Sequence, residues 1–468
     1  MNETEEEMLM SAAAMHEDQN MLDEAAAAYK QVLHHNPYNV HALSQLASIS
    51  RHQERFHDAV MYLQRIVQLD STNGELHGAV GHCFLMLSQR ATKMPAILEA
   101  LRQGYNSYSE AIVNLKDPAD PNLWYGIGLL YERYAALFPP CDQKMAALKL
   151  SAEALFAVLR MDPAFEKRSE IYYRLGLLFQ QQGHSQQSLE CFRAICDSPP
   201  PPLKPADVWY QIGYVHETVE PTSPSLAKRA YEHALQLSEQ SADVKVARSF
   251  RQLGWVCHTS GLQGAMPALI YLQRAVETDP YDCQNWHHLG KCLADHGQIL
   301  GAYDCYQQAV LRDAMSHEVW ASVGALFTQA RQDNDAVIAY HRAVTLNQNS
   351  KAWMPYACAL EACAIQDGDL TTYDAAMKAF SHALKVIPSQ EREIHSRMQR
   401  LHSLHTRAAQ QQDVQAYESG PSRIDQLHSP MPDMFARLTS AGGAMGQPSG
   451  SSKMQLYDAA PAARLPIE

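Results

Sequence analysis

Apolar residues recur along most of this chain at three- and four-residue intervals, the spacing that gathers them on one face of an α-helix. A longer period lies on top of that one. Trp286, Leu289 and Gly290, followed by Ala302, Tyr306 and Ala309, have counterparts further on in Trp320, Val323, Gly324, Ala336, Tyr340 and Ala343. The offset, about 34 residues, is the period of stacked helix–turn–helix units. The same template fits Tyr172, Leu175, Gly176, Ser188 and Phe192. It fits again at Trp209, Ile212, Gly213, Ala227 and Tyr231, and at Leu253, Gly254, Ala268 and Leu272. About ten units fall between residues 6 and 390. A glycine inside a helix costs about 1 kcal/mol against alanine, so its recurrence implies a packing constraint. Gly290 and Gly324 are expected to face Ala302 and Ala336 where the paired helices cross closely.

The residue types at this period resemble the tetratricopeptide (TPR) repeat. That resemblance implies an all-α, right-handed superhelical solenoid of about ten helix-turn-helix repeats over residues 1–390. A capping helix is expected at 391–416, where Ile394, Met398, Leu401 and Leu404 keep helical spacing. The tail at 417–468 is rich in Gly, Ser, Pro and Ala; it cannot bury enough apolar area to offset its ordering entropy and is expected to be disordered. Two units depart from the standard length: Gly81 to Gly104, and Gly128 to Ser151, are 23 apart where regular units have 12. The extra residues either extend the helices or lie between them. Insertions in such solenoids fall on one face and often serve recognition.

Net charge is -13, which argues against a direct nucleic-acid surface, since that needs a basic face. The ten cysteines include no C-x-x-C, and they read as buried free thiols of a reducing compartment. No apolar run reaches the length of a membrane span. The 22 histidines come in pairs or at positions expected to be exposed, without partners at metal-ligand spacing, so no metal site is expected. The G-I-G at 126–128 lies inside a helical pattern and lacks the preceding strand of a dinucleotide loop. No catalytic motif is found, and neither an active site nor a cofactor is expected.

In TPR folds the first helix of each repeat lines the concave face. Its fifth position is Tyr125, Tyr173 and Tyr210 in three successive repeats, and its ninth is Leu129, Leu177 and Tyr214. Such a stripe would suit an extended or helical peptide, with tyrosines as low-entropy anchors. Replacing the three tyrosines by alanine is expected to weaken binding with stability nearly unchanged. The lysine and asparagine pair with which chaperone-binding TPRs grip a carboxylate is missing; one repeat has His287 and Lys291 there.

Particular stretches carry a narrower likeness: GHCFLML at 81–87, NLWYGIGLLYERY at 122–134, DPAFEKRSEIYYRLGLLF at 162–179, SLECFRAI at 188–195 and VWYQIGYVHE at 208–217. They resemble the TPR subunit of fungal-type general transcriptional corepressors, the partner of a WD40-repeat corepressor. The resemblance implies a nuclear, non-enzymatic scaffold that bridges sequence-specific DNA-binding repressors to the WD40 subunit and to histone deacetylases. By position, WD40 docking would fall on Met10, Ala14, Ser44, Ser48, Gly78 and His82. SADVKVARSFRQLGWVCHT at 241–259 also resembles the TPR region of jumonji histone demethylases, but the stretch after residue 390 is short and poor in strand formers, so demethylase activity is not expected. The alternative reading is a TPR adaptor of a ubiquitin-ligase or trafficking assembly.

Overall fold

The computed structural model describes residues 3–115, 120–219, 222–238, 244–261 and 265–418; the tail from 419 onward lies outside them. Among the described residues there are 21 α-helices, one short 3-10 turn and no strand. The packing divides into two compact units, Met1–Val256 and Cys257–Glu468.

In the first unit α1 (Glu3–Asp18) pairs with α2 (Leu22–His35), and α3 (Val40–His52) with α4 (Phe56–Leu69). Next come α5 (Gly74–Arg90) with α6 (Met94–Asn114), and α7 (Pro121–Ala135) with α8 (Asp142–Met161). Then α9 (Arg168–Gln182) pairs with α10 (Ser185–Arg193), and α11 (Pro205–Thr218) with α12 (Pro224–Ser238). The unit closes within α13 (Val244–Ser260). The second unit holds α14 (Ala265–Thr278), then the pairs α15 (Cys283–Asp295) with α16 (Ile299–Arg312), α17 (His317–Gln329) with α18 (Asp333–Leu346), and α19 (Trp353–Asp367) with α20 (Leu370–Val386). Finally α21 (Glu391–Glu418) lies against α20, burying Ile394 and Leu401.

Local chemistry sets these boundaries. Asn39, Asn73, Asp120, Asp282 and Asp369 each accept a backbone N–H of the following first turn, which satisfies donors no helix can satisfy itself. The turn inside a regular repeat needs one left-handed residue. Gly183 (φ 81°) and Gly297 (φ 75°) supply it without strain, whereas Glu54 and Arg331 adopt it at a steric cost.

The recurrent glycines sit where paired helices touch, but the neighbour differs from the expected one. A Cβ on Gly290 would stand 2.8 Å from the Tyr306 ring, one on Gly324 2.7 Å from Tyr340, and one on Gly176 2.6 Å from Phe192. The aromatic ring, and not Ala302 or Ala336, lies nearest, because it is laid flat over the glycine's bare Cα. The small position meets the glycine's backbone instead: Ser188 Oγ donates to the Gly176 carbonyl at 2.7 Å, and Ser151 Oγ to that of Gly128 at 2.8 Å. Both glycines of the G-I-G are packing sites, with Gly126 against Tyr108 and Gly128 against Leu155.

The long repeats have a simple geometry. Gly81 meets Tyr108 and Gly128 meets Leu155 across a longer stretch of chain than the one joining Gly290 to Tyr306. The eleven additional residues amount to about three α-helical turns, so the contacting face is kept. They enter mostly as helix: α5 and α6 have 17 and 21 residues, where α15 and α16 have 13 and 14. In α6 the residues Ile97, Leu101, Gly104, Tyr108 and Ala111 form one buried stripe that packs with Leu123, Ile127 and Leu130 of α7.

Most cysteines are buried and none of those described is in a disulfide, with Cys83, Cys191, Cys257, Cys292, Cys305 and Cys363 in the interior; Cys141 is exposed. Burial pushes the Cys305 thiol up to about 12. Two histidines expected on the surface are buried. His77 faces Glu110 (Nδ1 to Oε2, 2.9 Å), and its Nε2 reaches the Ser71 carbonyl at 3.1 Å. His287 Nε2 lies 2.9 Å from Ser322 Oγ while its Nδ1 has no partner. No described helix is long and apolar enough to cross a membrane.

Candidate functional site: a cleft at the third to fifth repeats

A cleft of about 570 Å³ opens in the first unit among α3, α5, α7 and α9. Its walls bring together four residues that the sequence placed in two separate sets: Gly78 and His82 of α5, and Tyr125 and Leu129 of α7. They meet because first helices of successive repeats lie side by side, so positions a repeat apart become neighbours. Gly78 is not a crossing glycine. A Cβ there would stand 3.5 Å from Leu123 Cδ1, an ordinary contact, so its missing side chain leaves the cleft open.

Charged residues that sequence periodicity did not single out surround this apolar floor. Lys167 Nζ stands 5.1 Å from the Tyr125 ring centroid, a cation–π contact, and Phe165 packs on the same ring at 5.8 Å. Arg174 is spent on structure, bonding Glu132 and Glu170 at 2.8 Å each. Burial by itself would raise Glu170, but hydrogen bonds from Tyr125 and Arg174, with the charges of Arg174 and Lys167, hold its carboxyl below the usual range. Burial, then the hydrogen bond to Glu170, pushes the Tyr125 hydroxyl up. Burial, then the charges of Arg51 and Lys167, hold His82 below its ordinary value, so its imidazole is neutral at pH 7. Among the described residues neither Arg51 nor Lys167 forms an ion pair, and both are exposed. The cleft therefore offers an apolar and aromatic floor lined by charges of both signs, with Arg51 and Lys167 beside the carboxylates of Glu75 and Asp120.

The other half of the tyrosine stripe lines a second, smaller cleft of about 160 Å³ with Asp207, Lys245 and Arg248. Here Tyr173 packs on Phe192 at 5.8 Å, and Tyr210 stacks on Tyr214 at 6.5 Å. Burial raises both Tyr173 and Tyr210. Leu177 is half-buried in the core beside Trp209. Of the six stripe residues, Tyr125 and Leu129 thus line the first cleft and Tyr173 and Tyr210 the second, while Leu177 and Tyr214 line neither. Tyr125 is only 8% exposed and holds Phe165, so removing it would disturb packing; the expected indifference of stability to a triple alanine change does not survive this burial.

The remaining residues placed at the partner-docking surface do not line either cleft. Met10 packs half-buried on the first core cluster, Ala14 and Ser48 are exposed, and Ser44 donates to the His41 carbonyl at 3.3 Å.

Paired helices repeated through the chain, with glycines under aromatic rings and clefts between first helices, define a TPR-type helical repeat protein. Tetratricopeptide-repeat profiles match residues 16–74 and 169–201. The chain is similar to two proteins named as general transcriptional corepressors: trfA of Dictyostelium discoideum, 38% identical over 292 residues, and ssn6 of Schizosaccharomyces pombe, 38% identical over 293. Each alignment covers 62% of this chain but only 19% and 24% of those proteins, so the chain spans about a fifth to a quarter of the curated relatives it matches. Among solved structures, yeast Tom70 aligns over 89% of this chain and 98% of its own at 11% identity, with a TM-score of 0.37.

Proposed function

We propose that this protein is the TPR scaffold of a nuclear transcriptional corepressor assembly, and that the cleft lined by Gly78, His82, Tyr125 and Leu129 docks a partner segment. The observation that carries the reading is the convergence of these four residues in a chain similar to named corepressors. The occupant of best fit is a short helical or extended segment of a WD40-repeat corepressor. An apolar side chain would lie on Leu129 and the Tyr125 ring, and a flanking carboxylate would meet Arg51 or Lys167. DNA-binding repressors and histone deacetylases would engage other repeats, giving a bridge with no catalytic step of its own.

The test is affinity purification of the tagged full chain from its native cells, with mass spectrometry of the bound proteins. A stoichiometric WD40-repeat protein together with DNA-binding factors or deacetylases supports the proposal. Ubiquitin-ligase or trafficking-coat subunits without a WD40 corepressor would replace it with the adaptor reading.

A further inference from the structure

The repeat period places His258, in the last turn of α13, beside Cys292 on α15, the residue one repeat further along the chain. One helical turn beyond Cys292 stands His296, the residue that ends α15. A ligating atom from each of His258, Cys292 and His296 lies within 4.8 Å of the other two. The rings of His258 and His296 meet edge-on with centroids 5.7 Å apart. Asp295 joins them, its Oδ2 2.9 Å from His258 Nε2. Cys292 is fully buried and the His258 side chain only 11% exposed, whereas His296 is exposed and gives the cluster an opening to solvent.

We propose that these residues form a zinc-type metal site, with two imidazoles and one thiolate as ligands and the Asp295 carboxylate beside them for the fourth position. The donor set supports this choice. Two nitrogens, one sulfur and one carboxylate oxygen suit a borderline-soft divalent ion that accepts tetrahedral coordination, and they do not suit magnesium or calcium, which take oxygen ligands. Ligand distances near 2.0–2.3 Å around zinc set neighbouring donors roughly 3.3–3.7 Å apart, so a spread of 4.8 Å needs only a modest closure. On binding, Cys292 gives its proton to solvent as its sulfur bonds the metal, and His258 exchanges its contact with Asp295 for a metal bond. The product is a clamp between helices of consecutive repeats. Sequence reading passed over it because Cys292 and His296 are four apart on one helix and their third partner is a whole repeat away.

The experiment is titration of the purified, chelator-treated full chain with cobalt(II), followed by optical absorption. One equivalent per chain should produce the intense visible bands of tetrahedral cobalt and a near-ultraviolet thiolate charge-transfer band, both lost on adding zinc. Cys292→Ser should abolish the charge-transfer band. His296→Ala, at an exposed position that folding tolerates, should weaken cobalt affinity at least 10-fold, the effect expected when a ligand or its support is removed. Absence of a charge-transfer band in the parent protein would overturn the proposal. So would bands left unchanged by His296→Ala, since the cobalt would then be held elsewhere.

Discussion

Glycine carries two different jobs in this chain, and single substitutions separate them. At Gly176 any Cβ collides with the Phe192 ring, so Gly176→Leu overpacks a helix crossing and should cost roughly 1–3 kcal/mol or more. At Gly78 the same test predicts the opposite sign. Gly78→Ala meets only an ordinary contact with Leu123, and it should gain up to about 1 kcal/mol of helix propensity. Urea midpoints of the two variants check both. His287 makes a pH prediction. Burial, then the neighbouring His288 and Lys291 charges, hold it down at about 3, against an ordinary value of 6.5. The unfolded chain therefore takes up a proton first as pH falls. The contribution of this residue is fully present above about pH 6.5 and erodes below it, by on the order of 3 kcal/mol at pH 4. His287→Asn should flatten the stability–pH curve over that window; an unchanged slope would show that His287 is not responsible. The crossing glycines were legible in the sequence because their period repeats. Burial of His287 was not, since its partner Ser322 sits one repeat away with nothing in the local pattern to announce it.

At the scale of elements, the eleven-residue additions were legible as length and not as form. About three whole turns added between Gly81 and Tyr108 leave both residues on the same face, which is why the motif survived around the insertion. They build core: Ile97, 7% exposed, is in the added part of α6. Ile97→Ala should cost about 2–5 kcal/mol, as buried isoleucines elsewhere do. A cost below about 0.5 kcal/mol by chemical denaturation, the range of ordinary surface changes, would mean the added turns are a surface ornament. The tyrosine stripe teaches the converse. Fifth positions of Tyr125, Tyr173 and Tyr210 were correctly assigned to first helices, but the period alone cannot say how deeply a ring sinks between neighbouring repeats. Each ring has aromatic neighbours, Phe165, Phe192 and Tyr231 respectively, so the stripe is partly packing. The charged lining of the cleft was hidden for a related reason: Arg51 and Lys167 lie several repeats apart in sequence, at positions the repeat motif leaves free.

At the scale of the molecule, the two compact units each contain complete helix pairs, and the cleft lined by Gly78 and Tyr125 belongs to the first. The helical-repeat class was legible throughout, because a fixed repeat period and its small residues dictate it. The corepressor likeness rested on residues the generic motif leaves free, and the similarity to trfA and ssn6 covers 62% of the chain. What a cleft of this shape binds is set by floor and rim together. The measurement that bears on it most directly is the recovery of WD40-repeat protein on the tagged full chain, compared between the parent and Gly78→Phe. That substitution places a ring at a cleft-lining position whose first added carbon meets only an ordinary contact with Leu123. The expected result is stoichiometric WD40 protein on the parent and at least a 10-fold loss on Gly78→Phe, with an unchanged melting temperature. Equal recovery on both proteins, or no WD40 protein on either, would contradict docking at this cleft.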